Sequence, residues 1–194
     1  HIIIGRDGGE TPRIDRATLE TGISAIVRTW ADGLKDALEV AKGGAKARMS
    51  AERFADAFGA AYRENFSASQ AIEDIATLET LSADKPRAVD FYRREGDPET
   101  RVNLKVFTRS TPMPLSQRVP MLENMGFTVV NERTYRIVPA GSSEAERVWM
   151  HDMALERAAG GEIDIATAGP GVEAALMSQF RGLTESDRFD ALVL

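Results

Sequence analysis

The chain reads as an α+β protein, a helical segment followed by an antiparallel sheet, and three observations predict that class. Between about residues 15 and 81, apolar side chains recur every three or four positions, the period of a helix with one buried stripe. Between about residues 88 and 156 they alternate with polar ones, the period of a strand. The stretch Leu115–Val138, LSQRVPMLENMGFTVVNERTYRIV, passes from the first period to the second at Gly126.

HIIIGR at the start reads as a buried strand, and Asp7-Gly8-Gly9 with Pro12 reads as the loop after it. One long helix is expected from Asp15 to Lys42. Leu19, Ile23, Ile26, Trp30, Leu34 and Leu38 form its stripe, and Gly43-Gly44 ends it. Ser50 is expected to cap a second helix carrying Phe54, Phe58 and Tyr62. Ser67 followed by Gln70 fits a reciprocal capping box and starts a third helix, which buries Ile72, Ile75, Leu78 and Leu81. Lys85-Pro86 closes the helical half.

Strands follow. Ala88–Arg94 places Val89 and Phe91 on one face, and Glu95-Gly96-Asp97-Pro98 is turn chemistry. In Arg101–Phe107, Val102, Leu104 and Val106 point inward, with Asn103 and Lys105 outward. Ser116 is placed as the cap of the next helix, with Val119, Leu122 and Met125 recurring at helical spacing, Pro120 near its first turn and Gly126 as its left-handed stop. A strand from Phe127, a Gly-Ser-Ser-Glu loop and a strand over Arg147–Glu156 complete the order αββαββ. Moving the first strand of the ferredoxin-like βαββαβ unit to its end produces that order. The expectation is therefore a permuted ferredoxin-like sandwich: four antiparallel strands, two helices on one face, and a second face left for another domain or subunit to cover. Beyond Gly160-Gly161, Ala166–Gly171 reads as loop, Val172–Phe180 as a short helix, and Asp187–Leu194 as the start of another.

Composition narrows the function. The 194 residues are 43% hydrophobic and 28% charged, ordinary for a globular protein. Lys plus Arg is 24 against 30 for Asp plus Glu, a net charge of −6, which argues against nucleic-acid and acidic-membrane partners. No cysteine is present, which excludes disulfides and thiolate chemistry and suits a reducing cytoplasm. The apolar runs fall short of a bilayer span. The unstarted HIIIGR strand and the closing FDALVL run read as the cut ends of an excised piece.

Catalytic patterns do not assemble. His151 sits beside Asp152 in a strand, where neighbours point to opposite faces, so a packing or hydrogen-bonded role is expected for it. Neither Gly8-Gly9 nor Gly169-Pro170-Gly171 has the spacing of a dinucleotide loop, and Lys42-Gly43-Gly44 ends a helix where a phosphate loop would begin one. Arg93 and Arg94 read as a solvated strand end.

Several blocks are nevertheless specific. PMLENMGFTVVNERTYRI, TWADGLKDAL, FGAAYRENFSASQAIEDI and WMHDMAL, with the closing FRGLTESDRFDALVL, resemble in collinear order the large-type bacterial NAD-dependent glutamate dehydrogenases. The resemblance implies a cytoplasmic parent enzyme that converts L-glutamate, NAD and water into 2-oxoglutarate, ammonia and NADH. It places catalysis and NAD binding outside this chain, and no catalytic, cofactor or metal residue carries over. It also implies ACT-like modules: residues 1–14 as the tail strand of one, 15–66 as a helical connector, 67–158 as the next, and 159–194 as a linker and helices toward the catalytic region. The expected partners are other domains of the parent, a homo-oligomer formed through it, and an amino-acid effector. If an effector binds, Ser116, Gln117 and Arg118 at a helix N-terminus are the candidate contacts. The alternative is an interdomain or oligomerisation scaffold with no ligand.

Overall fold

A computed structural model of the chain describes residues 15–187 and 190–191, the side chains of residues 21 and 23–27 excepted. The HIIIGR strand lies outside the described residues, as does most of the stretch from Asp187 to Leu194. Seven α-helices and four strands are described: α1 (Arg16–Val27), α2 (Trp30–Lys42), α3 (Gly44–Phe54), α4 (Ala60–Asn65), α5 (Ala71–Thr80), β1 (Arg87–Tyr92), β2 (Arg101–Arg109), α6 (Leu115–Asn124), β3 (Phe127–Ile137), β4 (Val148–Arg157) and α7 (Ile165–Phe180). The sheet order is β1-β2-β4-β3, antiparallel at every pair. That is the order a permuted ferredoxin-like unit requires, and the α+β expectation holds.

The helical half is more divided than its stripe suggested. The expected Asp15–Lys42 helix breaks at Arg28-Thr29, because Thr29 turns extended and caps α2. Its hydroxyl accepts the Asp32 N–H at 3.2 Å, while the Asp32 carboxylate accepts the Thr29 N–H at 3.1 Å. Two otherwise orphaned donors are thereby satisfied. Leu34 and Leu38 are buried and Trp30 half-buried, but Leu19 is exposed. Gly43, at φ +68°, ends α2 as expected.

Ser50 caps nothing. It lies buried inside α3, bonded to Lys42 Nζ and Glu79 Oε1 at 2.8 Å each. Phe54, Phe58 and Tyr62 do not share one helix: Phe54 closes α3, Phe58 forms a lone bridge to Ile137, and Tyr62 belongs to α4. The Ser67–Gln70 box is present, at 2.9 and 3.2 Å, just ahead of α5.

Both faces of the sheet are covered. On one face Val102, Leu104, Val106, Met153 and Leu155 pack against Leu122 of α6, Met125 just beyond its end, and Val172 and Leu176 of α7. On the other, Phe107, Tyr135, Ile137 and Met150 pack against Leu34, Leu38, Phe54, Phe58, Tyr62 and Ile75. The expected open face is therefore closed by the chain's own helices. The helix that shares a face with α6 is α7, not α5. A consequence is that Asn103 and Lys105, expected outward, are buried.

Aromatic contacts concentrate on the helical side. Phe58 stacks on Tyr62 at 4.3 Å and Tyr62 on Phe66 at 4.8 Å, with Tyr135 edge-on to both. Such pairs each contribute about 0.5–1.5 kcal/mol beyond the area they bury. Trp30 donates its indole N–H to the Phe66 carbonyl at 2.9 Å, pinning α2 to the same cluster.

Two proline positions also differ from expectation. Pro120 lies inside α6 rather than in its first turn, so the Ser116 carbonyl lacks its usual donor. α7 runs straight through Ala168-Gly169-Pro170-Gly171, a stretch expected to be loop. Asp164 drives this start, its carboxylate accepting the Ala166 N–H at 3.0 Å and the Thr167 hydroxyl at 2.6 Å. Gly169 is buried where α7 crosses β1, and a Cβ there would stand 3.5 Å from the Phe91 ring.

Candidate functional site

Charged residues on the face that packs against α2–α5 form a row across the whole sheet. The strand register pairs Asp90 with Lys105, Lys105 with Asp152, and Asp152 with Arg133, so acid and base alternate through all four strands. Lys105 is 3% exposed and Asp152 5% exposed, in strands whose buried side chains are mostly apolar. From above, Asp74 of α5, fully buried, meets Lys105 Nζ at 2.6 Å. Tyr62 of α4 donates its hydroxyl to the other Asp74 oxygen at 2.5 Å. Lys105 also lies 4.6 Å from the ring centres of Phe66 and Tyr92, within cation–π reach of both. One ammonium thus ties α5, a helix-side aromatic and two strands.

Asp152 is held separately. The Tyr92 hydroxyl donates to it at 2.9 Å, and Arg94 Nη2 donates to its second oxygen at 2.9 Å. Burial raises the Asp152 pKa above its ordinary value, opposed by these bonds. Burial also raises the phenols of Tyr62 and Tyr92, reinforced by Asp74 and Asp152 respectively. Both phenols therefore remain protonated donors. Arg93 and Arg94 are not a solvated strand end. Arg93 donates to the Arg101, Glu99 and Ile163 carbonyls, and Arg94 reaches Asp152 and lies over Phe66.

A second centre lies on the opposite face around His151, itself 1% exposed. Its Nε2 accepts the Met113 N–H at 3.2 Å, which fixes the proton on Nδ1, facing the Thr134 hydroxyl at 3.0 Å and Glu132 at 3.3 Å. Burial and the nearby Arg118 push the imidazole down to about 4, with Glu132 opposing them. The ring is neutral and structural, as its strand position suggested, and it faces away from Asp152.

The three candidate effector contacts do not converge. Ser116 and Gln117 are exposed on the first turn of α6, while Arg118 is buried beneath it, donating to the Met113 carbonyl and to Glu132. Pro114 occupies the cap position without a side-chain bond, so Ser116 does not cap α6. Gln117 does line a cleft of about 160 Å³, together with Arg87, Thr108, Arg109, Thr111 and Pro114. The lining arginines have internal partners: Arg87 donates to the Phe180 carbonyl and Arg109 to the Ala145 carbonyl.

The buried charges around Lys105 escape sequence reasoning, although a signal for them exists. Asp90, Lys105 and Asp152 each sit mid-strand in an apolar run, where a charge is costly unless it is paired. Asp74 could be assigned to the same layer only once α5 was known to cross that face.

Known proteins match this arrangement in two pieces. Residues 37–81 match the family model described as glutamate dehydrogenase, helical motif 2, and residues 86–168 match the one described as glutamate dehydrogenase, ACT3 domain. Together they cover more than half of the chain. The chain belongs to the large-type NAD-specific glutamate dehydrogenase family. The NAD-specific glutamate dehydrogenase of Halomonas elongata is 35% identical over 97% of the chain, and that of Pseudomonas aeruginosa 32% identical over 93%. The Mycobacterium tuberculosis protein of the same description is 29% identical over 98%. The chain spans 12%, 11% and 12% of those three proteins. The break between the two matched stretches falls between α5 and β1, so the Asp74–Lys105 pair joins helical motif 2 to the ACT3 domain. Among the described residues, no helix is long and apolar enough to cross a membrane.

Proposed function

We propose that this chain is a non-catalytic regulatory and assembly segment of a cytoplasmic NAD-dependent glutamate dehydrogenase. The parent reaction is the oxidative deamination of L-glutamate to 2-oxoglutarate and ammonia with reduction of NAD, and its catalytic and NAD-binding residues lie elsewhere in the parent. One observation carries this reading. The side chains best suited to acid–base work (His151, Asp152, Asp74 and Lys105) are turned into the core and engaged with one another or with the scaffold. We draw the unit boundary at residues 82–85 instead of ahead of α5, because α5 packs with the helices and α7 with the sheet's other face. The helical layer and sheet then form one body that presents outer surfaces to other domains of the parent or to a sister subunit.

An amino-acid effector at the first turn of α6 is the finer reading, with Ser116 and Gln117 as its available contacts. The scaffold without a ligand is favoured by the inward position of Arg118, which leaves an effector carboxylate no free cation from that turn. Calorimetric titration of the chain with a panel of amino acids separates the two. Heat that saturates with one of them, and is lost in Gln117→Ala, supports the effector; silence from all supports the scaffold. Light scattering tests assembly: self-association at high concentration is expected, and a strict monomer counts against a subunit-pairing role.

A further inference from the structure

The layer between the helices and the sheet holds more buried acid than base. Asp74 is neutralised by Lys105 at 2.6 Å, and Asp152 by Arg94 at 2.9 Å. Asp90 is left over. It is half-buried on β1, directly across the strand pair from Lys105, yet its carboxylate makes no hydrogen bond or ion pair among the described residues. The groups around it are unfavourable to a third negative charge. Lys105 of β2 attracts it, but Asp74 and Glu73 of α5 and Glu173 of α7 repel it, and Tyr92 on its own strand is a neutral phenol. Glu173 is itself held in place, accepting the Phe91 N–H at 3.0 Å.

We propose that Asp90 makes the docking of the helical layer on the sheet proton-sensitive, so that the interface tightens when Asp90 takes up a proton and loosens when it ionises. This holds whichever role the segment has in its parent. Burial, with Lys105 opposing, pushes the carboxyl up to about 6. An unfolded aspartate titrates near 3.9. Between those values the folded chain holds a proton that the unfolded chain has released. The Asp90 contribution to stability is therefore greatest below about pH 4, falls as pH rises to about 6, and is level above that. Physically, ionised Asp90 would draw Lys105 away from Asp74 and strain the ion pair that fastens α5 to the sheet.

The test is urea unfolding of the full chain and of Asp90→Asn at a series of pH values from about 4 to 8. The variant keeps the shape and removes the titration. The ratio of the unfolding constants, wild type over variant, is expected near one at about pH 4 and to reach roughly ten- to a hundredfold above pH 7, after discounting the shift for solvent screening. A ratio that does not change with pH overturns the proposal. Should the variant fail to fold, the wild-type Asp90 carboxyl can be titrated directly by carbon NMR. A midpoint near 6, accompanied by faster corrected exchange of the α5 amides as pH rises through it, supports the device. A midpoint at or below about 4 overturns it.

Discussion

Replacing one partner of the Asp74–Lys105 pair should harm this protein far more than replacing both. Asp74 is fully buried, Lys105 is 3% exposed, and their nitrogen and oxygen stand 2.6 Å apart. Lys105→Met leaves the fully buried Asp74 carboxylate with the Tyr62 hydroxyl but without its cation. Breaking a buried pair from one side costs about 3–5 kcal/mol. Asp74→Asn keeps a hydrogen-bond partner for the Tyr62 hydroxyl but strands the ammonium between the Phe66 and Tyr92 rings, with a cost in the same range. The double variant, Asp74→Asn with Lys105→Met, removes both charges and should cost only about 1–2 kcal/mol, the loss of one hydrogen bond and some packing. The coupling energy is then about 4 kcal/mol or more in magnitude, well above the roughly 0.3–0.5 kcal/mol expected of independent sites. Urea unfolding followed by circular dichroism measures it. At about 2–4 °C of melting temperature per kcal/mol for a chain of this size, each single variant should melt roughly 6–20 °C early. Single costs below about 1 kcal/mol that simply add would refute the claim that this pair fastens α5 to the sheet.

Three further outcomes are expected. His151 is held neutral at a pKa of about 4 while the unfolded ring titrates near 6.5, so the unfolded chain binds the extra proton between those values. Its contribution is complete above about pH 6.5 and lost on acidification, and His151→Gln should flatten that acid limb in a thermal-melt series. Pro120→Ala restores a donor to the Ser116 carbonyl in an exposed turn of α6 and should raise stability by about 1–3 kcal/mol in the same urea assay. Gly126→Ala places a Cβ at φ +82° and should lower stability by about 1–2 kcal/mol, with the loss confined to the α6–β3 corner by hydrogen exchange.

The His151 and Asp90 terms run in opposite directions over nearly the same pH range. Acid weakens the chain through the imidazole on one sheet face and strengthens it through the carboxyl on the other. A wild-type pH profile alone will therefore look shallow, and only variant pairs can resolve the two.

How legible the fold was in sequence depended on whether the deciding signal was local. Strand positions, the Gly126 stop and the Ser67–Gln70 box rest on contacts within a few residues, and these expectations hold. The strand order followed from the permuted topology. What failed needed knowledge across the chain. The Trp30–Leu38 stripe looked continuous with Leu19–Ile26, although Thr29 and Asp32 carried a capping box between them. Lys105 alternates as an outward residue of a one-sided sheet. Only the helices on the second face, reached by residues more than thirty positions away, make it buried. The same is true of Arg118. Its place at a helix N-terminus suggested an anion contact, while its buried bond to Glu132 on β3 depends on how α6 lies over the sheet. Function was legible through resemblance alone, because the chain's own chemistry is turned inward.

The most direct test of a segment that organises rather than catalyses is made in the full-length parent carrying Lys105→Met. Assembly size is read by light scattering, and NADH formation from L-glutamate and NAD is measured alongside it. The assembly should change or become heterogeneous, while protomers that remain assembled keep near-normal turnover. Turnover that collapses with the assembly and its thermal stability intact would contradict the assignment and place this charged layer within the catalytic machinery.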